Sequence, residues 1–91
     1  MIKQEPRGDL TQLTFVLPVD EPSGKVSVVG DFNDWTPGAH TLVRRSNGTR
    51  SVKVAVSAGQ AFGFRYLAEG GQWFDDPSIE HRSAQNGLVV T

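Results

Sequence analysis

Between residues 62 and 68 the chain reads Phe-Gly-Phe-Arg-Tyr-Leu-Ala, with Phe62, Phe64, Tyr66 and Ala68 at every second position. Successive side chains of an extended backbone point to opposite faces, so this alternation gathers the rings on one side of a strand and leaves Gly63, Arg65 and Leu67 on the other. The aromatic side must be buried. The same period recurs along the chain: Leu13, Phe15 and Leu17 alternate with Thr14 and Val16, Lys25 to Val29 make a second strand, Val52, Val54 and Val56 point one way, and Leu88 to Val90 close the chain. No eleven-residue window carries apolar residues at helical spacing. Turn formers separate the runs: Pro18 with Asp20-Glu21-Pro22-Ser23-Gly24, Ala58-Gly59-Gln60, and Glu69-Gly70-Gly71-Gln72, which leads to Trp73 and Phe74. The Asn47-Gly48 pair predicts a tight type I′ hairpin between a short strand, Thr41 to Arg45, and the strand Arg50 to Ser57. Roughly seven short strands at this spacing predict an all-β fold, an immunoglobulin-like antiparallel β-sandwich with Phe15, Val28, Val54, Phe64 and Tyr66 in its core.

A chain of 91 residues forms one domain with one modest core. Nine basic and ten acidic side chains nearly balance, which gives no electrostatic reason to expect nucleic acid or an anionic membrane as the partner. There is no cysteine, so packing alone must hold the fold, without disulfides or a thiolate metal site. The first nine residues, Met1 to Asp9, are polar and read as a loose leading segment. They lack the apolar run of a signal peptide, and nothing later is long enough to span a bilayer, so a cytoplasmic location is expected. Repeats, linkers and low-complexity runs are absent.

Val28 to Trp35, Val-Val-Gly-Asp-Phe-Asn-Asp-Trp, changes from a buried-strand pattern to a polar turn that ends on an indole. Gly30 relaxes the backbone where the strand stops, Asn33 and Asp34 stabilise the turn, and Phe32 folds back beneath it as an anchor. Trp35 either caps the end of the core or faces a ligand. Other motifs have plainer readings. Asn47-Gly48-Thr49 fits a glycosylation sequon but serves as a hairpin turn, and Arg7-Gly8-Asp9 matches an adhesion tripeptide by chance. Arg44, Arg45, Arg50 and Lys53 make a basic hairpin that reads as a solvated strand face.

The acidic stretch Asp75, Asp76 and Glu80 beside His81 raises the question of catalysis, because paired carboxylates hydrolyse glycosides and mixed carboxylate and imidazole groups bind metals. Adjacent residues on an extended backbone face opposite ways, however, and Pro77 ends the strand. The two histidines, His40 and His81, are far apart. No catalytic residue, metal ligand or cofactor is expected, and the chain reads as a binding domain. Trp35, Trp73 and Arg65, brought onto one sheet, would form a shallow aromatic platform edged by hydrogen-bonding groups. A sugar ring suits such a surface, since its C–H face packs on an indole while its hydroxyls seek polar partners.

Val26 to Trp35, then Phe-Gly-Phe-Arg-Tyr-Leu (62–67), Gly-Gln-Trp-Phe-Asp-Asp-Pro (71–77), and Asn86 before Leu88-Val89-Val90 together resemble carbohydrate-binding module family 48. That family includes the glycogen-binding domain of the AMP-activated protein kinase beta subunit and the amino-terminal early-set domains of isoamylases and glycogen branching enzymes. The resemblance runs from about Leu13 to the end of the chain. It implies non-catalytic binding of α-1,4-glucan such as glycogen, starch or maltooligosaccharides, with a glycogen- or starch-active enzyme as partner. By position it implies that Trp35 and Trp73 stack on glucose units, that Arg65 replaces a lysine donor with a planar fork, and that Asn86 binds a sugar hydroxyl. The chain departs from the pattern at Arg82 and Ala84, where the kinase domain has leucine and threonine, and Gly70-Gly71 lengthens a turn by one residue. Use of the sandwich as a protein-interaction or regulatory domain is the alternative, with the aromatic patch or the basic hairpin as the docking surface.

Overall fold

The computed structural model describes residues 2–19, 24–76, 82–83 and 86–91. Among them are nine strands: β1 (Ile2–Arg7), β2 (Leu10–Pro18), β3 (Val26–Gly30), β4 (Val43–Arg44), β5 (Thr49–Ser57), β6 (Ala61–Ala68), β7 (Gln72–Phe74), β8 (Arg82–Ser83) and β9 (Asn86–Val90). One sheet has the order β1-β2-β5-β4, and the other has the order β3-β6-β9-β8 with β7 also on β6. Every pairing is antiparallel. The fold is an immunoglobulin-like antiparallel β-sandwich. A single 3-10 turn, Asp31–Asn33, is its only helical element among the described residues.

Alternation builds the core from both sheets. Leu13, Phe15 and Leu17 of β2, with Val54 and Val56 of β5, meet Val26 and Val28 of β3, Phe64, Tyr66 and Ala68 of β6, and Val89 of β9. All five core residues expected from the sequence are buried there. Phe15 is the hub, with its ring centroid 5.3 Å from Phe64 and 6.3 Å from Tyr66. Burying one such side chain is worth about 1.5–3 kcal/mol, so these few residues dominate the stability of a small domain.

Four details correct the sequence reading. The segment read as loose forms β1 and pairs with β2 from Ile2↔Phe15 to Arg7↔Leu10. Gly8 makes this possible: it takes φ +65° at the first position of a two-residue turn while Asp9 does not turn positive, the type II′ pattern that suits a twisted hairpin. Ile2 then packs on the core, and the Gln4 amide donates to the Val90 carbonyl at 2.9 Å, which ties β1 to the opposite sheet. Polar composition concealed the strand because β1 lies at an edge, where most side chains face water.

The hairpin between β4 and β5 is not type I′. Arg45 N–H donates to Thr49 O at 2.8 Å around a three-residue loop, and only Gly48, at φ +78°, is left-handed. A type I turn followed by one glycine has this form. Its basic residues also divide. Arg44 and Lys53 are exposed, whereas Arg50 is 4% exposed and donates from Nη1 to the Gly24 carbonyl at 2.7 Å. Arg50 shares the inward parity of Val52 and Val54 and lies opposite Leu17 near the end of β2, so its guanidinium turns inward at that end of the sandwich.

The segment expected as one strand over Thr41 to Arg45 serves both sheets. His40 O accepts from Val28 N, Leu42 N donates to Val26 O, and Thr41 bridges Ser27, all along the edge of β3; Val43 and Arg44 then pair with β5. One flank is thereby sealed and the edge of β3 is covered. Among the described residues, no helix is long and apolar enough to cross a membrane.

Candidate functional site

The outward side of β6 carries Gly63, Arg65 and Leu67. In the pairing register Arg65 lies opposite Val29, while Leu67 lies between Ser27 of β3 and Trp73 of β7. Trp73 is 43% exposed, a large apolar side chain left in solvent. The Arg65 guanidinium carbon stands 6.0 Å from the centroid of the Trp73 ring, and Arg65 Nε donates to Asp75 Oδ1 at 3.2 Å. Both charged side chains are partly exposed, so the ion pair adds at most about 1 kcal/mol of stability. Its consequence is position: Asp75 and the indole keep the guanidinium on the face that carries Trp73.

Asp75 and Asp76 point opposite ways, as their adjacency requires. Asp76 is fully buried and accepts a 2.7 Å hydrogen bond from the Tyr66 hydroxyl, while the Phe74 ring stacks 5.2 Å from that of Tyr66. Burial, and then the carboxylate beside it, push the Tyr66 phenol far above its ordinary range. The carboxylates considered for hydrolysis therefore orient Arg65 and anchor the end of β7. Pro77, Glu80, His81, Ala84 and most of the Ile79 to Gln85 loop lie outside the described residues.

Trp35 is held by the turn that follows β3. Gly30 is required there by close packing, because a Cβ would lie 2.5 Å from the Gly63 carbonyl and 2.9 Å from Phe64 Cβ. Phe32 folds beneath the turn against Phe15 and Phe62, the anchor expected of it. Asn33 accepts from Gly30 N–H and donates to Val28 O, which closes the turn on its own strand. Asp34 and Trp35 both stand at φ +55°, a left-handed conformation that costs a non-glycine residue on the order of 1–3 kcal/mol. Trp35 N–H donates to Gly30 O at 2.9 Å, and its indole Nε1 donates to Asp31 Oδ1 at 2.9 Å. The other Asp31 oxygen accepts from Gly63 N–H at 2.7 Å.

Asp31 escaped the sequence reading. Its one signal is the four-residue separation from Trp35, which means little until the turn brings the two together. The bridge leaves the half-buried indole at the edge of β6, beside Gly63. A strand rise of about 3.3 Å per residue puts Gly63 and Leu67 about 13 Å apart, with Arg65 between them. Along β6 the order is therefore Trp35 with Asp31, then Arg65, then Trp73. Arg65 and Trp73 are neighbours, whereas Trp35 is linked to the row through Asp31 and Gly63. Asn86 starts β9 and precedes Gly87, the partner of Phe64, so the register carries its backbone to the level of Arg65; its side chain is outside the description.

No protein-family model matches the chain. It is 42% identical over 52 residues to the 1,4-alpha-glucan branching enzyme GlgB of Salinibacter ruber, which covers 56% of this chain and 8% of that enzyme. It is 47% identical over 51 residues to GlgB of Deinococcus radiodurans, which covers 55% of this chain and 7% of that enzyme. Both relatives are branching enzymes. For somewhat more than half of its length the chain is thus similar to a segment of these branching enzymes, and the match spans under a tenth of either one.

Proposed function

We propose that this domain binds α-1,4-glucan on the outward face of its second sheet and does not cleave it. The observation that carries the reading is the exposed Trp73 indole with the Arg65 guanidinium carbon 6.0 Å from its ring and fixed by the ion pair to Asp75. An indole face offers the apolar surface on which a pyranose C–H face packs, and a guanidinium at its edge supplies donors for hydroxyls. Trp35 lies further along β6, and Asn86 enters at the level of Arg65, so Trp35, Arg65, Trp73 and Asn86 are the residues assigned to the sugar. Similarity to a segment of α-glucan branching enzymes supports the ligand class. A glycogen- or starch-active enzyme is the partner that this reading implies.

Absence of catalysis rests on the roles of Asp75 and Asp76. One is engaged by Arg65 and the other is buried against Tyr66, so the pair does not span a cleft as the acid and base of a glycosidase must. Retention on insoluble glycogen or starch, with release by maltoheptaose, tests the binding directly. Passage through the matrix at low salt without retardation would reject it.

A further inference from the structure

The face that carries Trp73 continues into a groove on the other side of β6. Trp73, Leu67 and Ser27 form one row across β7, β6 and β3, and Ser27 bridges on to Thr41. The loop at Gly38 stands over the end of this row, with its N–H 3.4 Å from Ser27 Oγ. Between loop and sheet lies a groove of about 200 Å³, lined among others by Lys25, Ser27, Gly38, Thr41, Leu67 and Glu69. Leu67 supplies apolar surface, and the exposed Lys25, Thr41 and Glu69 supply a donor, a hydroxyl and an acceptor. Glu69 is kept at the rim because its Oε2 accepts from the Lys25 backbone N–H at 3.0 Å.

This volume falls below the roughly 300–1,000 Å³ of a site that encloses a whole small molecule, so the groove suits one part of a longer ligand. Leu67 belongs to both places, as a wall of the groove and as the direct cross-strand neighbour of Trp73. We propose that the groove is an additional sugar subsite, occupied by a glucan chain that crosses from Trp73 over Leu67 toward Thr41. The proposal rests on the α-glucan reading above and adds a direction and a length preference to it. Two interstrand spacings, about 10 Å, separate Trp73 from Ser27. A short oligosaccharide seated on Trp73 and Arg65 leaves the groove empty, whereas a long one fills it.

The test compares maltotriose with maltoheptaose by calorimetry on the intact domain and on the Lys25→Ala/Glu69→Gln variant. The glutamine keeps the acceptor for the Lys25 N–H. Maltoheptaose affinity should fall about five- to tenfold in the variant while maltotriose affinity stays the same. An unchanged ratio of the two affinities would overturn the subsite while leaving the platform standing, and binding of neither sugar by the unaltered domain would end both readings. A second measurement is independent of any folding defect in the variant. Amide shifts of Ser27 and Thr41 in the unaltered protein should move with saturating maltoheptaose and not with maltotriose, and their failure to move would also overturn the subsite.

Discussion

The Trp35 indole is fastened to Asp31, four residues earlier, by a 2.9 Å hydrogen bond that holds the ring at the edge of β6. The carboxylate holds the Gly63 amide as well, where the backbone ladder between β3 and β6 has ended. Asp31→Ala should leave the Gly63 N–H and the indole without this acceptor and cost about 1–3 kcal/mol in urea denaturation. In a Trp73→Phe background Trp35 is the sole tryptophan, so its emission should shift to the red and its anisotropy fall. An emission spectrum unaffected by Asp31→Ala would show that the hydrogen bond does not control the ring.

The two tryptophans should behave differently on truncation. Trp73 is 43% exposed and lies outside the core cluster, so Trp73→Ala should cost no more than about 0.5–1 kcal/mol in denaturation while removing retention on glycogen. Trp35→Ala should also remove retention, but with a loss of about 1–2 kcal/mol, since the half-buried ring and its hydrogen bond go together. Normal glycogen binding by the Trp73 variant would contradict the assigned platform.

Tyr66 is the only tyrosine in the chain, so tyrosinate absorbance reports it alone. Its folded pKa is raised above the ordinary 10.0, chiefly by burial and next by the Asp76 carboxylate. A group raised in the folded state contributes its full share of stability below the unfolded value and loses it as pH rises. Stability should therefore be insensitive to Tyr66 below about pH 10 and decline above it. Absorbance near 295 nm should appear only with unfolding. Tyr66→Phe should remove this alkaline decline yet cost about 1–3 kcal/mol at neutral pH, because Asp76 loses the hydroxyl from a fully buried site. Tyrosinate absorbance that rises around pH 10 in a protein still folded by circular dichroism would refute the assignment.

Within the basic hairpin, Arg44 and Arg50 should separate cleanly. Arg44→Ala, at an exposed site, should change neither stability nor glycogen retention. Arg50→Ala should cost about 2–3 kcal/mol through the lost charged hydrogen bond to Gly24 and the space left at the end of the sandwich. Equal midpoints for the two variants would show that the burial of Arg50 contributes nothing.

Gly30→Ala should destabilise by about 1–3 kcal/mol, since the added methyl meets the Gly63 carbonyl and Phe64 at distances that force β3 and β6 apart. Gly38→Ala is the counterpart. Nothing stands within 4 Å of its added carbon, so only the positive φ of +80° opposes it, and a smaller loss is expected.

Alternation alone specifies which side of each strand meets the core. A period of two assigns every residue of a strand to one of two faces, so Phe15, Val28, Val54, Phe64 and Tyr66 were legible as core, and Arg65 as outward, before any partner strand was known. The same rule separated Asp75 from Asp76. It says nothing about which residue lies opposite, because strand register and long-range packing set that. Trp73 meets Leu67 and reaches Arg65 because of the register of β7 on β6, while Asp31 reaches Gly63, thirty-two positions away, because the turn after β3 folds back over the end of that ladder. Arg50 and β1 depart from the sequence expectation for a related reason. Polarity predicts exposure only on average, and an arginine with a backbone carbonyl at the end of a sandwich, or a polar strand at the edge of a sheet, is stable where long-range packing supplies its hydrogen bonds.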